Sequence, residues 1–152
     1  MTTVTPFLWF DCNLAEPLAY YANVFPSMEV VERSAGPDDT IFGATIELFG
    51  QRISLLNGGP ALAGFKESFS LLVAVATQHE IDELWSRLTA DGGEEGRCGW
   101  LKDRYGLSWQ IVPDRLGSWL GGPDPRRAKQ ALDAMLQMNK LRIDELEAAY
   151  EG

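Results

Sequence analysis

Histidine is almost missing from this sequence: His79 is the only one among 152 residues. A zinc site assembled from several imidazoles is excluded by that count. Cysteine is scarce as well. Cys12 and Cys98 stand far apart, outside any C-x-x-C or zinc-type spacing, and in a reducing compartment both should be free thiols. No run of about 18 apolar residues occurs, so no transmembrane helix is expected. The opening stretch from Met1 to Asp11 lacks the basic region, the long apolar segment and the small-residue cleavage site of a secretory signal. A cytoplasmic protein is the expectation. Positive charge is the last shortage: 13 Lys and Arg face 22 Asp and Glu, for a net charge of -9. Such a chain repels phosphate backbones and anionic lipid, so neither nucleic acid nor membrane is an expected partner.

What is present suits a globular fold. Hydrophobic residues make up 45%, enough for a core. Thr3 to Asp11 reads as an aromatic-rich strand. Asn13 can cap a helix with Glu16 three residues on and Pro17 in its first turn, and Pro26 ends it. Met28 to Arg33 is a strand, and Ser34 to Asp39 a turn. Ile41 to Phe49 and Arg52 to Asn57 alternate as two strands joined by a tight hairpin at Gly50-Gln51. Pro60 to Lys66 connects. The order then repeats. Ser68 to Ala76 is a strand with Phe69, Leu71, Val73 and Val75 on one face. Thr77 and Glu80 form a capping box, followed by the stripe Ile81, Leu84, Trp85 and Leu88. Glu95 to Cys98, Trp100 to Asp103 and Leu107 to Pro113 are three more strands, with Lys102-Asp103 and Tyr105-Gly106 at a hairpin turn. A helical tail follows. Asp124 caps a helix with Pro125 at its first position and a face of Ala128, Leu132, Met135 and Leu136. A last helix runs from about Ile143 to Tyr150.

The order strand-helix-strand-strand-strand therefore occurs twice. Several motifs accompany it: Pro6-Phe7-Leu8-Trp9-Phe10-Asp11, Tyr20-Tyr21, Val24-Phe25-Pro26, Asn57-Gly58-Gly59-Pro60, and the run Cys98-Gly99-Trp100-Leu101-Lys102-Asp103 continuing to Gln110-Ile111-Val112-Pro113. With the doubled βαβββ order, these residues resemble the vicinal-oxygen-chelate superfamily of glyoxalases, bleomycin-resistance proteins and dioxygenases. Within it they resemble the PhnB-like family, whose members carry the label 3-demethylubiquinone-9 3-methyltransferase. The resemblance implies an α+β fold: two βαβββ modules forming a curved eight-stranded sheet cup, plus C-terminal helices. It implies one domain over residues 1–152, with module one at 1–60, module two at 61–113 and the helical tail at 114–152. It also implies a homodimer.

The resemblance locates the metal positions of the superfamily by strand. Here they fall at or near Pro6, with Leu8 and Phe10 on its face, then at Ser54 or Leu56, at Ser68 or Ser70, and at Gln110. None is a histidine or a carboxylate, so no metal is expected and the glyoxalase reaction, which needs one, is not supported. His79 is placed at a helix start, facing solvent. The methyltransferase label requires S-adenosylmethionine, yet no Gly-rich loop of the G-x-G-x-x-G kind follows any strand. No cofactor is expected.

What remains is an apolar face with a few polar points, the usual make-up of a small-molecule pocket. Gln110, Ser70 and Ser54 are the candidate hydrogen-bonding residues, and Phe10 and Trp100 the candidate walls. The leading expectation is a small-molecule-binding protein. One alternative is a metal-independent enzyme on an aromatic or quinone-like compound, for which Cys98, Glu47 and Asp11 are the available reactive groups. Another is a sequestering or resistance-type binder without turnover.

Overall fold

The computed structural model describes residues 2–60 and 64–152; the connecting stretch read at Pro60 to Lys66 lies partly outside them, at residues 61–63. Two compact units are present, Met1–Gly64 and Phe65–Gly152, each built on a four-stranded mixed sheet. No helix among the described residues is long and apolar enough to cross a membrane.

The first unit runs β1 (Phe7–Phe10), α1 (Ala15–Val24), β2 (Glu29–Ala35), β3 (Ile41–Leu48) and β4 (Gln51–Asn57), with sheet order β1-β4-β3-β2. β1 lies parallel to β4, and the other pairs are antiparallel. The expected hairpin turns at Phe49 and Gly50, one residue earlier than Gly50-Gln51, with both at positive φ as a type I′ turn requires. Asn13 sits one residue farther from the helix than expected, since Leu14 is the N-cap. Its carboxamide oxygen accepts from the backbone N–H of Ala15 at 3.1 Å and of Ile41 at 3.0 Å, tying the helix entry to β3.

β1 corrects one expectation. Leu8 and Phe10 are read from the sequence as lining the open face. The register pairs Phe7 with Ser54 and Trp9 with Leu56, so those four side chains share a face. Leu8 and Phe10 point the other way into the core, where the Phe10 ring meets Tyr21 of α1 edge-on at 6.4 Å. Phe7 and Trp9 are the exposed pair.

The second unit repeats the order: β5 (Ser70–Val75), α2 (Gln78–Thr89), β6 (Glu94–Glu95), β7 (Trp100–Lys102) and β8 (Ser108–Pro113), with sheet order β5-β8-β7-β6. The Thr77 hydroxyl caps α2 by accepting from the Glu80 N–H at 3.2 Å. α2 packs on β7 and β8 through Ile81, Trp85 and Leu88, burying Leu101, Trp109 and Ile111. The fold class is thus α+β, two βαβββ modules with added C-terminal helices.

Two sequence expectations change here. Glu95 to Cys98 is not one strand: pairing stops at Glu95. The chain breaks away because the N–H groups of Cys98 and Gly99 donate instead to the carbonyls of Met138 and Asn139, each at 2.8 Å. Cys98 adopts φ 59°, which no strand residue does. The tail helices α3 (Leu116–Leu120), α4 (Pro125–Met135) and α5 (Ile143–Glu151) belong to this unit. The Asp124 carboxylate caps α4 as expected, accepting from the Arg126 and Arg127 N–H groups. The inward face of α4, however, is Ala131 with Ala134 and Met135, packed among Val112, Trp119, Met138, Leu141 and Leu146. Leu132 and Leu136, assigned to that face from the sequence, are 40% and 44% exposed.

Candidate functional site

Strand alternation divides the second sheet into two chemistries. Leu101, Trp109 and Ile111 face α2. The opposite face carries Ser70 and Leu72 on β5, Ser108 and Gln110 on β8, and Trp100 and Lys102 on β7. The register sets these in two rows. Leu72, Gln110 and Trp100 stand side by side, as do Ser70, Ser108, Lys102 and Glu94. Cross-strand neighbours of this kind lie about 5 Å apart at their Cβ atoms. Val112, next along β8, is taken into the tail cluster, so the face closes at that end.

Three of the five residues singled out from the sequence therefore come together: Gln110, Ser70 and Trp100. The Gln110 amide donates to the Ser70 hydroxyl at 3.0 Å. That bond fixes the side chain across two strands and leaves the Gln110 carbonyl oxygen as an acceptor at the centre of the row. Leu72, 56% exposed, is the apolar neighbour on one side and the half-buried Trp100 the neighbour on the other. The remaining two belong to the first unit. Ser54 faces with Phe7 and Trp9, its hydroxyl 3.3 Å from that of Thr45, beside a cleft of about 380 Å³ that Thr5 and Arg52 also line. Phe10 lies on the other side of that sheet, in the core.

The three candidate reactive groups are spread out. Cys98 sits in the β6–β7 connection, held by its own backbone. Glu47 is engaged by Arg52 at 3.4 Å. Asp11 follows β1 and is exposed. His79 is exposed on the first turn of α2, 3.7 Å from Glu83. Burial, then the charges of Glu16 and Asp11, push the Cys12 thiol above its ordinary range, which keeps it protonated and unreactive at neutral pH.

Two features of this face go beyond what the sequence shows. Lys102 forms a 2.6 Å ion pair with Glu67, from the segment preceding β5. The pair holds the Glu67 carboxyl below, and the Lys102 ammonium above, their usual ranges, through the hydrogen bond first and the opposite charge second. Their separation of 35 residues hides the pair from any local pattern. Ser108 is the second: it is 1% exposed, and its hydroxyl has no hydrogen-bond partner among the described residues.

The metal positions carry the Ser54 hydroxyl in the first unit and the Ser70 hydroxyl and Gln110 amide in the second; none of them is the imidazole or carboxylate that divalent cations take. Among the described residues, no group of three or more His, Cys, Asp or Glu is arranged to hold a metal ion. S-adenosylmethionine fits no better. The parallel strands β1 and β5 exit into Asp11-Cys12-Asn13 and Ala76-Thr77, with no glycine loop to approach a ligand.

Comparison with known proteins agrees with the fold. The profile of the family described as 3-demethylubiquinone-9 3-methyltransferase matches residues 2–112. The PhnB protein of Bacillus cereus superposes with a TM-score of 0.66 at 27% identity, over 73% of this chain and 99% of that one. A Pseudomonas aeruginosa protein gives 0.61 at 20% identity, over 74% and 98%. The fosfomycin resistance protein FosX of Listeria monocytogenes, solved with Mn(II) and sulfate, gives 0.55 at 17%, over 72% and 89%. No curated protein matches the chain.

Proposed function

The chain belongs to the 3-demethylubiquinone-9 3-methyltransferase family, and from that premise we propose that it is a small-molecule-binding protein of the glyoxalase/bleomycin-resistance fold. Its site is the face of the second sheet around Gln110. The observation that carries this reading is the Gln110–Ser70 hydrogen bond, standing between Leu72 and Trp100 on a face that α2 does not cover. A rigid strand presents one oriented polar group between apolar walls, the arrangement by which small-molecule sites fix orientation. The row of Leu72, Gln110 and Trp100 offers an amide between apolar side chains, so binding follows from it more directly than turnover. Within the first unit, Ser54 with Phe7 supplies a similar polar and aromatic pairing, and Phe7 and Trp9 stand on the face where Phe10 was expected.

The test is a thermal-shift screen of aromatic and quinone-like compounds, followed by affinity measurement on Gln110→Leu. A stabilising ligand should lose several-fold in affinity, because a hydrogen bond to a neutral group contributes about 0.5–1.5 kcal/mol. An unchanged affinity with a clearly lowered Tm would make Gln110 a structural residue and move the site elsewhere.

Assembly as a homodimer is part of the same reading. Leu132 and Leu136 lie one turn apart on the outer side of α4, an apolar pair that the fold of one chain leaves in water. Sedimentation equilibrium at micromolar concentration should give twice the chain mass, and Leu132→Glu with Leu136→Glu should return it to one chain.

A further inference from the structure

We infer that Lys102 and Ser108 form an oxyanion-binding end of this site, suited to the carboxylate of a small aromatic acid, and that Glu67 fills it as an internal substitute. The inference rests on the proposed site and names the class of ligand it takes.

Ser108 is the starting point. A hydroxyl shut away from water with no partner is disfavoured, and native structures keep few of them. This one stands in register beside Lys102, on adjacent antiparallel strands, so the hydroxyl and the base of the ammonium side chain are direct neighbours on one face. Both line a cleft of about 430 Å³, with Trp100 and Glu67 also on its wall. An ammonium with three donors and a hydroxyl with one are together a receptor for an oxygen anion. Trp100 provides a ring face for the flat body attached to it.

Glu67 already supplies such an anion. Its carboxylate reaches Lys102 at 2.6 Å, but its side chain is 69% exposed. Exposed ion pairs contribute little and exchange readily, so a ligand carboxylate can displace Glu67 at small cost. The gain is the hydrogen bond to Ser108, which Glu67 does not make. The other charges in the cleft have occupations of their own. The Glu95 carboxylate accepts from the Trp85 indole, and Arg97 donates to the Leu136 carbonyl. Glu94 stands in register beyond Lys102, on the side away from Ser108, and strengthens the hold on the ammonium. The rival occupant is a cation drawn to the glutamates.

Protein-detected NMR titration of the full chain with sodium benzoate, benzamide and benzylamine separates these cases, since the three share a ring and differ in charge. Benzoate should bind at least five-fold more tightly than benzamide. Glu67→Gln should tighten benzoate several-fold and leave benzamide unchanged. Lys102→Met should erase the preference. Ser108→Ala should weaken benzoate several-fold while keeping or raising Tm, because it removes an unpartnered hydroxyl. A preference for benzylamine overturns the inference, as does benzoate binding that survives Lys102→Met, or a Tm lowered by Ser108→Ala. Equal binding of benzoate and benzamide, both weakened by Gln110→Leu, overturns it while the Gln110 site stands. Binding of none of the three overturns it and leaves Gln110 to its own screen.

Discussion

Replacing Asp103 with alanine is expected to lower the unfolding free energy by about 3 kcal/mol or more. Asp103 is 1% exposed, and its carboxylate is the organiser of the β7–β8 turn. One oxygen accepts from the backbone N–H groups of Tyr105 at 2.8 Å and Leu107 at 3.2 Å; the other accepts from the Trp109 indole at 2.9 Å. Hydrogen bonds to a charged group contribute roughly 1.5–3 kcal/mol each, and each donor left without its partner in the interior adds a penalty. The three share one acceptor group, so their losses do not simply add. Asp103→Asn should lose less, because the amide still offers one carbonyl oxygen to one set of donors but turns N–H groups toward the other. Urea unfolding checks this: the midpoint should fall in the order wild type, Asn, Ala, with the slope unchanged. A loss under about 1 kcal/mol for Asp103→Ala would mean that water replaces the carboxylate freely and the turn does not depend on it. The turn joins the strands that carry Lys102 and Ser108, so the same variant should also blunt ligand binding.

Sequence patterns revealed this fold where two independent signals agreed. Thr77 with Glu80, followed by Ile81, Leu84, Trp85 and Leu88, marks both the start and the inner face of α2, and the structure has the same cap and buries Ile81, Trp85 and Leu88, with Leu84 half-buried. In Ser108-Trp109-Gln110-Ile111, small or polar residues alternate with large apolar ones, and the two faces of the strand divide along that alternation. β1 had no such contrast. Phe7, Leu8, Trp9 and Phe10 are all apolar, so period-two reasoning had nothing to choose between the two parities. Only the pairing of Phe7 with Ser54 decides, and pairing is a property of topology. α4 failed in a related way. Met135 is inward as read, but Leu132 and Leu136, its strongest hydrophobes, are exposed, and Ala131 and Ala134 take the rest of the inner side. Ser70 and Gln110 were each legible as polar points on strands; their meeting depends on β5 lying parallel to β8. The Lys102–Glu67 pair and the unpartnered Ser108 hydroxyl exist only once strand and loop are in place.

Gly99→Ala should be clearly more damaging than Gly106→Ala, although the two glycines share the same left-handed backbone. Both glycines have positive φ, +86° at Gly99 and +83° at Gly106. An alanine held there loses about 1–2 kcal/mol on backbone grounds alone. At Gly106, in the Asp103 turn, an added Cβ meets nothing within 4 Å, so that backbone loss is the whole effect. At Gly99 the Cβ would come to 3.0 Å from the Ile111 carbonyl oxygen and 3.1 Å from the Leu141 side chain. Neither can retreat easily. Gly99 accepts from the Ile111 N–H at 2.8 Å, and Leu141 is fully buried in the tail cluster. Overpacking of this kind adds about 1–3 kcal/mol. The same residue donates to Asn139 while Cys98 donates to Met138, so displacement here pulls on the bonds that hold the tail to the sheet. Thermal and urea unfolding should therefore show Gly99→Ala losing about 3 kcal/mol and Gly106→Ala about 1–2. Amide exchange should rise at Cys98 and Gly99 only in the former. Equal losses would mean that Leu141 and the Ile111 strand yield to the methyl group, and that the tail is not fastened to the sheet at this point.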